Sequence, residues 1–471
     1  MAPLAIRSTP KIQAKQNTLK KYTNLGKKFL FDPHYLGPVC FLLFLGEAIC
    51  NALIIENVRY TEIDWVAYMQ EVEGFLNGTL DYQHLKGDTG PLVYPAGFVY
   101  IFTALYYVTD HGRNIYLAQY IFLVLYLLQT LLIHRIYRIT AKVPPYALIL
   151  TTLTSFRIHS IFVLRLFNDP VAVLLFYISL NLFVSDRWRL GSVFFSLAVS
   201  VKMNILLYAP CLLVAYLTNL SYTETFINLF ICGFIQLVLA IPFLYGNFVS
   251  YIKGSFDFGR VFEHKWTVNY RFLPREIFEH KYFHIGLLVL HILLLIVFLP
   301  LLRRYLSSYS KLNVVSQAFR SQLEEEKYRK MLAKKRADGT LSKKDKMYLG
   351  AIKNQKRSSS KDSQDSSFYE EKVKLQDKMS KIAQLFILPF FITNLIGIAC
   401  ARSIHYQFYS WYYHSLLYLA FCTNFSKPVR FLILGVMEYC FKTYPSTNLS
   451  SALLHVCHSF LIFGVFQTMK A

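Results

Sequence analysis

Residues 283–302 read Phe283-His284-Ile285-Gly286-Leu287-Leu288-Val289-Leu290-His291-Ile292-Leu293-Leu294-Leu295-Ile296-Val297-Phe298-Leu299-Pro300-Leu301-Leu302, with Arg303-Arg304 directly behind. A run of roughly 20 residues without Asp, Glu, Lys or Arg is long enough to cross the hydrocarbon layer as a helix. The two arginines open a polar stretch, 303–381, that holds 21 Lys/Arg against ten Asp/Glu. Positive charge beside a span is retained in the cytosol. One stretch therefore predicts both a membrane protein and an orientation.

Further apolar runs lie at about 36–55, 115–134, 144–164, 170–185, 189–201, 203–218, 226–245, 383–401, 408–424, 428–441 and 451–468. The expectation is an all-α polytopic membrane bundle with about twelve spans, several of them short. Composition agrees: 54% of the 471 residues are hydrophobic and only 17% charged, below the roughly 25% of soluble domains. Disordered, fibrous and disulfide-scaffold classes are excluded. The net charge of +22 is concentrated in residues 1–35 (net +6) and 303–381 (net +11), so it reads as topology rather than as a nucleic-acid groove. The eight cysteines all fall in apolar stretches without a C-x-x-C pair and read as inert. Residues 1–35 lack an early apolar stretch, so no cleavable signal peptide is expected.

The chain divides into a basic cytosolic segment 1–35, a bundle 36–302 with far-side loops 56–114 and 246–282, a charged cytosolic insertion 303–381 and a second bundle 382–471. Both termini fall in the cytosol. Chemistry is expected in the far-side loops. In the first, Trp65, Tyr68, Met69 and Val72 recur at i, i+3, i+4 and i+7, predicting an amphipathic helix along the membrane surface. Thr61 and Asp64 fit a capping box at its start, a structural role that composition alone favours. Glu62 and Asp64 are also the loop's acid-x-acid pair. Lys86 to Pro95 holds two Gly and two Pro, a stiff loop in which Asp88 fits an Asx-turn.

Cations stand at the other far-side turns. Arg165, Lys202, Arg260 and Arg402 with His405 each interrupt or border an apolar or aromatic stretch. Cations gathered on one side suggest an anionic ligand such as a lipid phosphate. Headgroup-level Tyr and Trp with a snorkelling Arg402 are the structural alternative. No Asp-x-Asp, phosphate-binding Gly-rich loop or dinucleotide fingerprint occurs, which leaves nucleotide donors without a foothold.

Six strings then occur in order: Thr61–Trp65, Gly90–Gly97, His159–Asp169, Ser200–Asn204, Phe256–Arg260 and Arg402–Phe408. In this the chain resembles the endoplasmic-reticulum dolichyl-phosphate-mannose-dependent alpha-1,3-mannosyltransferases of lipid-linked oligosaccharide assembly, from about residue 36 to the last span. The 303–381 insertion departs from that pattern. The resemblance implies a GT-C bundle with a lumenal site. It implies dolichyl-phosphate-mannose as donor and a five-mannose oligosaccharide on dolichyl diphosphate as acceptor, with no nucleotide and no obligatory metal. It makes Asp64 the general base, with Glu62 as runner-up. Arg402, His405, Arg260 and Lys202 become donor-phosphate contacts, and Asp88, Tyr94, Arg165, Trp266, Asn269 and Gln407 substrate contacts. Competing expectations are a lipid transporter or flippase, which the absence of an internal repeat disfavours, and the related glycosylphosphatidylinositol mannosyltransferase, which shares aromatic-basic strings around Trp266. Asn77-Gly78-Thr79 and Asn448-Leu449-Ser450 are sequons on far-side segments, with occupancy open.

Overall fold

The structure is a computed structural model and describes residues 10–256, 263–338, 340, 342, 345 and 365–471. It is almost wholly helical. The helices that matter below are α1 (Pro10–Phe31), α2 (Leu36–Asn57), α3 (Trp65–Leu76), α4 (Ala96–Val108), α5 (Ile115–Thr140), α6 (Pro145–Leu153), α7 (Phe156–His159), α8 (Asp169–Val184), α9 (Trp188–Val201), α10 (Ala209–Asn219), α11 (Tyr222–Ser255), α12 (Arg275–Phe278), α13 (Lys281–Ala337), α14 (Asp365–Ala399), α15 (Tyr413–Cys422), α16 (Lys427–Lys442) and α17 (Asn448–Lys470). A two-residue hairpin, β1 (Lys86–Gly87) and β2 (Gly90–Pro91), is the one sheet among the described residues.

Every apolar run expected from the sequence is helical, but they are not equivalent. Among the described residues six helices are long and apolar enough to cross a membrane: α2 with its leading turn, α5, α11, the apolar part of α13, the apolar part of α14, and α17. A seventh crossing is possible across α6, α7 and the π-helical turn 160–164 that follows, bent by 55°. Six or seven stand against the twelve expected, because runs such as 169–184 and 188–201 form helices of only 16 and 14 residues. At 1.5 Å per residue these reach about 20–24 Å, short of the layer. Their flanks explain the lengths. Pro170 is the second residue of α8, two positions after the N-cap Asn168, and the extended backbone of Lys202 ends α9.

Outward faces of α2, α11 and α13 are rows of exposed Leu, Ile and Phe, including Phe41, Leu45, Ile49, Phe230, Leu237, Leu288 and Ile296. Such rows suit contact with acyl chains rather than water. Helices α13 and α14 run without a break through the 302/303 and 381/382 boundaries, and Ser366 and Ser367 belong to α14 rather than to a loop.

Helix α3 corrects a second expectation. Trp65, Tyr68, Met69 and Val72 do share a face, but that face packs on protein and not on a membrane surface. Trp65 stands edge-on to Phe122 and its indole N–H donates to the Gly112 carbonyl at 2.9 Å. Tyr68 stands edge-on to Tyr94, Phe98 and Phe102. Gly112 permits the contact: its φ is +79°, and a Cβ there would collide with Met69. Gly97, in the string Gly90–Gly97, likewise lets α4 close on Ser200 of α9. The first far-side loop is thus folded onto the ends of α5, α8 and α9.

Candidate active site

Asp64 is the residue before α3, and its side chain makes no capping bond. The cap comes from Glu62. Its Oε1 accepts the Val66 N–H at 3.1 Å, and its other oxygen accepts the Tyr60 hydroxyl. The Thr61–Asp64 capping box does not form, because the helix starts at Trp65 and the Thr61 N–H donates instead to the Leu164 carbonyl, 3.0 Å away. Two carboxylates two residues apart therefore have different tasks: Glu62 is consumed by the helix end, and Asp64 is left to face the bundle.

There Asp64 Oδ2 lies 3.4 Å from the Tyr68 hydroxyl. Burial pushes its carboxyl above the usual aspartate range. The Lys202 charge pulls it down, the Asp169 charge pushes it up, and hydrogen bonds from Thr89 and Tyr68 pull it down slightly. Among the described residues Asp64 enters no ion pair, unlike its two charged neighbours. A half-buried, unpaired carboxylate with a raised pKa is the arrangement that proton abstraction needs.

Lys202 is 8% exposed and is clasped by the start of α8. Its ammonium donates to Asp169 Oδ2 at 2.7 Å and to Asn168 Oδ1 at 2.9 Å. The other Asp169 oxygen accepts the Trp411 indole N–H. Tyr94, Phe408 and Trp411 surround the ammonium at 5.3–5.9 Å from their ring centres. The donor-phosphate contact expected of Lys202 thus falls on an ammonium already paired with Asp169. Most of its charge is answered by Asp169, so its task is to hold α8, α9 and the 406–411 turn together beside Asp64. Tyr94 lies between Lys202 and Tyr68.

Arg402 and His405 lie half-buried on the loop that enters this turn, and the His405 ring lies flat on Phe408, 5.2 Å between centres. Gln407 is half-buried in the same turn. The loop is pinned from below by Asn269, which is 0% exposed. Its amide donates to the Ala401 carbonyl at 2.8 Å, and its oxygen accepts the Ile404 N–H at 2.9 Å and the Thr267 hydroxyl at 2.8 Å. Asn269 thus clamps the loop with both ends of a buried amide. Arg165 donates to Ser160 on the π-helical turn, and burial followed by the Arg157 charge holds its pKa below the usual arginine value. Trp266 is exposed and stacks on Tyr444 at 6.2 Å, beside Lys265. Asp88 is exposed at the hairpin tip, its N–H donating to Gln70 at 2.7 Å. Arg260 lies outside the described residues.

Two features escaped the sequence reading. Asp169 and Trp411 complete the Lys202 clasp. Glu47, a lone acid in the middle of α2, meets His159 at 2.6 Å, with the Ser155 and Tyr126 hydroxyls both 3.3 Å from the same ring nitrogen. An acid inside a span is itself a signal, because it needs a partner there. Glu47 also forms part of the wall of a cavity of about 630 Å³ between α5, α6, α15 and α16. Part of its polar wall is spent in bonding: Thr130 and Thr151 donate to carbonyls of their own helices, Ser155 to Thr152, Tyr413 to Thr151 and Tyr137 to His414, while His134 Nδ1, His414 Nε2 and Glu438 Oε1 have no hydrogen-bond partner among the described residues. What faces the space is mainly hydrocarbon. Lys442 and Glu438 stand at one end, 3.7 Å apart.

Residues 41–451 match the family model described as ALG3 protein. The chain belongs to the ALG3 family. A Drosophila melanogaster relative named dolichyl-P-Man:Man5GlcNAc2-PP-dolichol alpha-1,3-mannosyltransferase Alg3 is 50% identical over 490 residues, covering 99% of this chain and 96% of the relative. A second Drosophila melanogaster protein of the same activity name, l(2)not2, is 51% identical and covers 97% and 98%. The human Dol-P-Man:Man(5)GlcNAc(2)-PP-Dol alpha-1,3-mannosyltransferase is 43% identical and covers 92% and 87%. Asp64, the Lys202 clasp and the Arg402–Gln407 turn all lie within the part of the chain that the ALG3 model spans.

Proposed function

We propose that this ALG3-family chain transfers mannose from dolichyl-phosphate-mannose to Man5GlcNAc2 on dolichyl diphosphate, forming an alpha-1,3 bond at the lumenal face of the endoplasmic reticulum. The observation that carries this reading is identity of 50% across nearly the whole length of a relative named for that donor, acceptor and linkage. Asp64 takes the proton of the acceptor hydroxyl, and the hydroxyl oxygen attacks C1 of the donor mannose. The bond from C1 to the phosphate oxygen breaks, and its electron pair leaves on dolichyl phosphate. A single displacement of this kind inverts a beta-linked donor into an alpha-linked product and needs no covalent intermediate. Arg402 and His405 stabilise the departing phosphate, a task that cations perform without a metal. Lys202 and Asp169 hold the turn that carries His405 and Gln407.

The reading includes a GT-C arrangement, in which the short helices α8, α9, α10, α15 and α16 complete a count of about twelve crossings around the six or seven long ones. Both termini are cytosolic, and the loop 58–114 is lumenal. The cavity of about 630 Å³ takes part of the donor's isoprenoid chain, because Tyr409 of the 406–411 turn is in its wall and its charged end holds Lys442. Purified protein given dolichyl-phosphate-mannose and the five-mannose lipid-linked acceptor should extend the glycan by one mannose. Movement of either lipid across a vesicle bilayer without extension would replace this reading with that of a transporter.

A further inference from the structure

The two sequons differ in structure as sharply as they agree in sequence. Asn77 ends α3 and is exposed, and no hydrogen bond engages its side chain among the described residues. Gly78 follows with φ +92° in open space, so the chain leaves the helix in a tight outward turn. Thr79 is half-buried, and its N–H donates to the Gly74 carbonyl at 3.1 Å. Asn77 stands 20 positions beyond Asn57, the end of α2, and 38 before Ile115, the start of α5. Asn77 is therefore well separated along the chain from either span.

Asn448 is the reverse case. It is the first residue of α17 and lies six positions beyond Lys442, the end of α16. Six residues allow about 20 Å at full extension. The sequon's hydroxyl is also spent: Ser450 is 0% exposed, accepts the Thr447 N–H at 2.9 Å and donates to the Thr447 carbonyl at 3.0 Å as part of a capping box. Using Asn448 would require the last span to begin unravelled.

We propose that Asn77 is an N-glycosylation site of this chain and that Asn448 is not. The proposal rests on the lumenal assignment of loop 58–114 made above. The co-substrate is a dolichyl-diphosphate-linked oligosaccharide, the class of lipid whose glycan this chain extends. A separate glycosylating enzyme joins Asn77 Nδ2 to C1 of the reducing-end sugar. The bond from C1 to the diphosphate breaks with its electron pair on dolichyl diphosphate, and one amide proton passes to that enzyme's base. The position suits a chain that must stay active when modified. Asn77 and Asp64 stand at opposite ends of a 12-residue helix, about 18 Å apart, so the glycan leaves the site open.

The test is gel mobility of the full-length tagged chain made in a cell with an endoplasmic reticulum, before and after peptide-N-glycosidase. The wild type should lose one glycan's worth of mass. N77Q and T79A should run at the deglycosylated position without treatment, whereas T79S and N448Q should shift like the wild type. N77Q should keep its mannose-transfer rate within about twofold. An unshifted wild type, or a shift that survives N77Q, overturns the proposal. Failure of the topology is read separately, with a cysteine at the exposed position 84 and an impermeant maleimide on sealed microsomes. Labelling only after permeabilisation keeps the loop lumenal whatever the fate of Asn77, and labelling of sealed vesicles would remove both readings.

Discussion

Two buried acid–base contacts organise this molecule, and they sit in different surroundings. Lys202–Asp169 lies at the loop end of the bundle, under three aromatic rings, within electrostatic reach of Asp64. Glu47–His159 lies within the span, held by Asn51, Ser155 and Tyr126 from its own helices and α5. The first pair tunes the charge on a third group. The second holds the turn 160–164, whose Leu164 carbonyl receives Thr61 and whose Ser160 receives Arg165. The lesson is that burial and charge alone do not mark a reacting group. In these two regions the buried acids Glu47 and Asp169 each contact a base, and half-buried Asp64, which enters no ion pair among the described residues, is the candidate.

Breaking the Lys202–Asp169 pair by one partner strands a charge, which costs about 3–5 kcal/mol. Lys202→Met and Asp169→Asn should each lower thermal stability in detergent by that order, and the double variant should recover most of the loss. A double variant as unstable as the sum of the singles would mean that the two side chains act independently. Arg402→Ala and His405→Ala come next. Each loses one charge-assisted contact, about 1.5–3 kcal/mol, equal to roughly 10- to 150-fold in donor kcat/KM with the acceptor KM little changed. Equal effects on both substrates would return these residues to the lipid headgroup layer.

The two pairs also separate by pH. A base works only when deprotonated, so a raised Asp64 pKa places the acid limb of the rate profile above the ordinary aspartate range, and activity falls as pH drops through it. Removing the Lys202 charge raises the Asp64 pKa further, so Lys202→Met should move the limb to higher pH. Asp169→Asn should move it lower. Glu47→Gln should leave it in place while reducing stability, since that pair is not among the charges that act on Asp64. A limb shifted equally by Glu47→Gln would show that the two regions are one network. The smallest effect tests the cavity. Gly435 is exposed in its wall with nothing within 4 Å of where a Cβ would stand, so Gly435→Trp can fill the space without a backbone clash. It should raise KM several-fold for the dolichyl donor and much less for a donor with a two-isoprene chain. An increase confined to the acceptor would give the cavity to the other lipid.

Much of this was legible in the sequence where local pattern decides. Long runs without charge become spans, and the face of α3 follows from a spacing of three and four. The strings around Asp64, Lys202 and Arg402 do converge. What stayed hidden depends on partners far along the chain. Nothing local to Asn269 tells that its amide holds Ala401, 132 residues away. The Lys202 clasp is not legible because Trp411, which shares Asp169 with it, lies 242 residues beyond that aspartate. The capping box failed for a nearer reason: Glu62 reaches the helix end first, and no spacing rule ranks one acid against another two residues away. Twelve runs overcounted full-length spans because periodicity does not say where Pro170 or an extended Lys202 will cut a helix short.

The account's central claim is that Asp64 and not Glu62 takes the proton. Asp64→Asn and Glu62→Gln should therefore be compared in one turnover measurement with saturating donor and acceptor, on protein shown to be folded. Asp64→Asn keeps the shape and loses the base, so turnover should fall about 10²- to 10⁴-fold. Glu62→Gln keeps an oxygen that can accept the Val66 N–H, and turnover should stay within about threefold of the wild type. A large loss in Glu62→Gln with near-normal turnover in Asp64→Asn would contradict the account and move the base to the residue assigned here to the helix end.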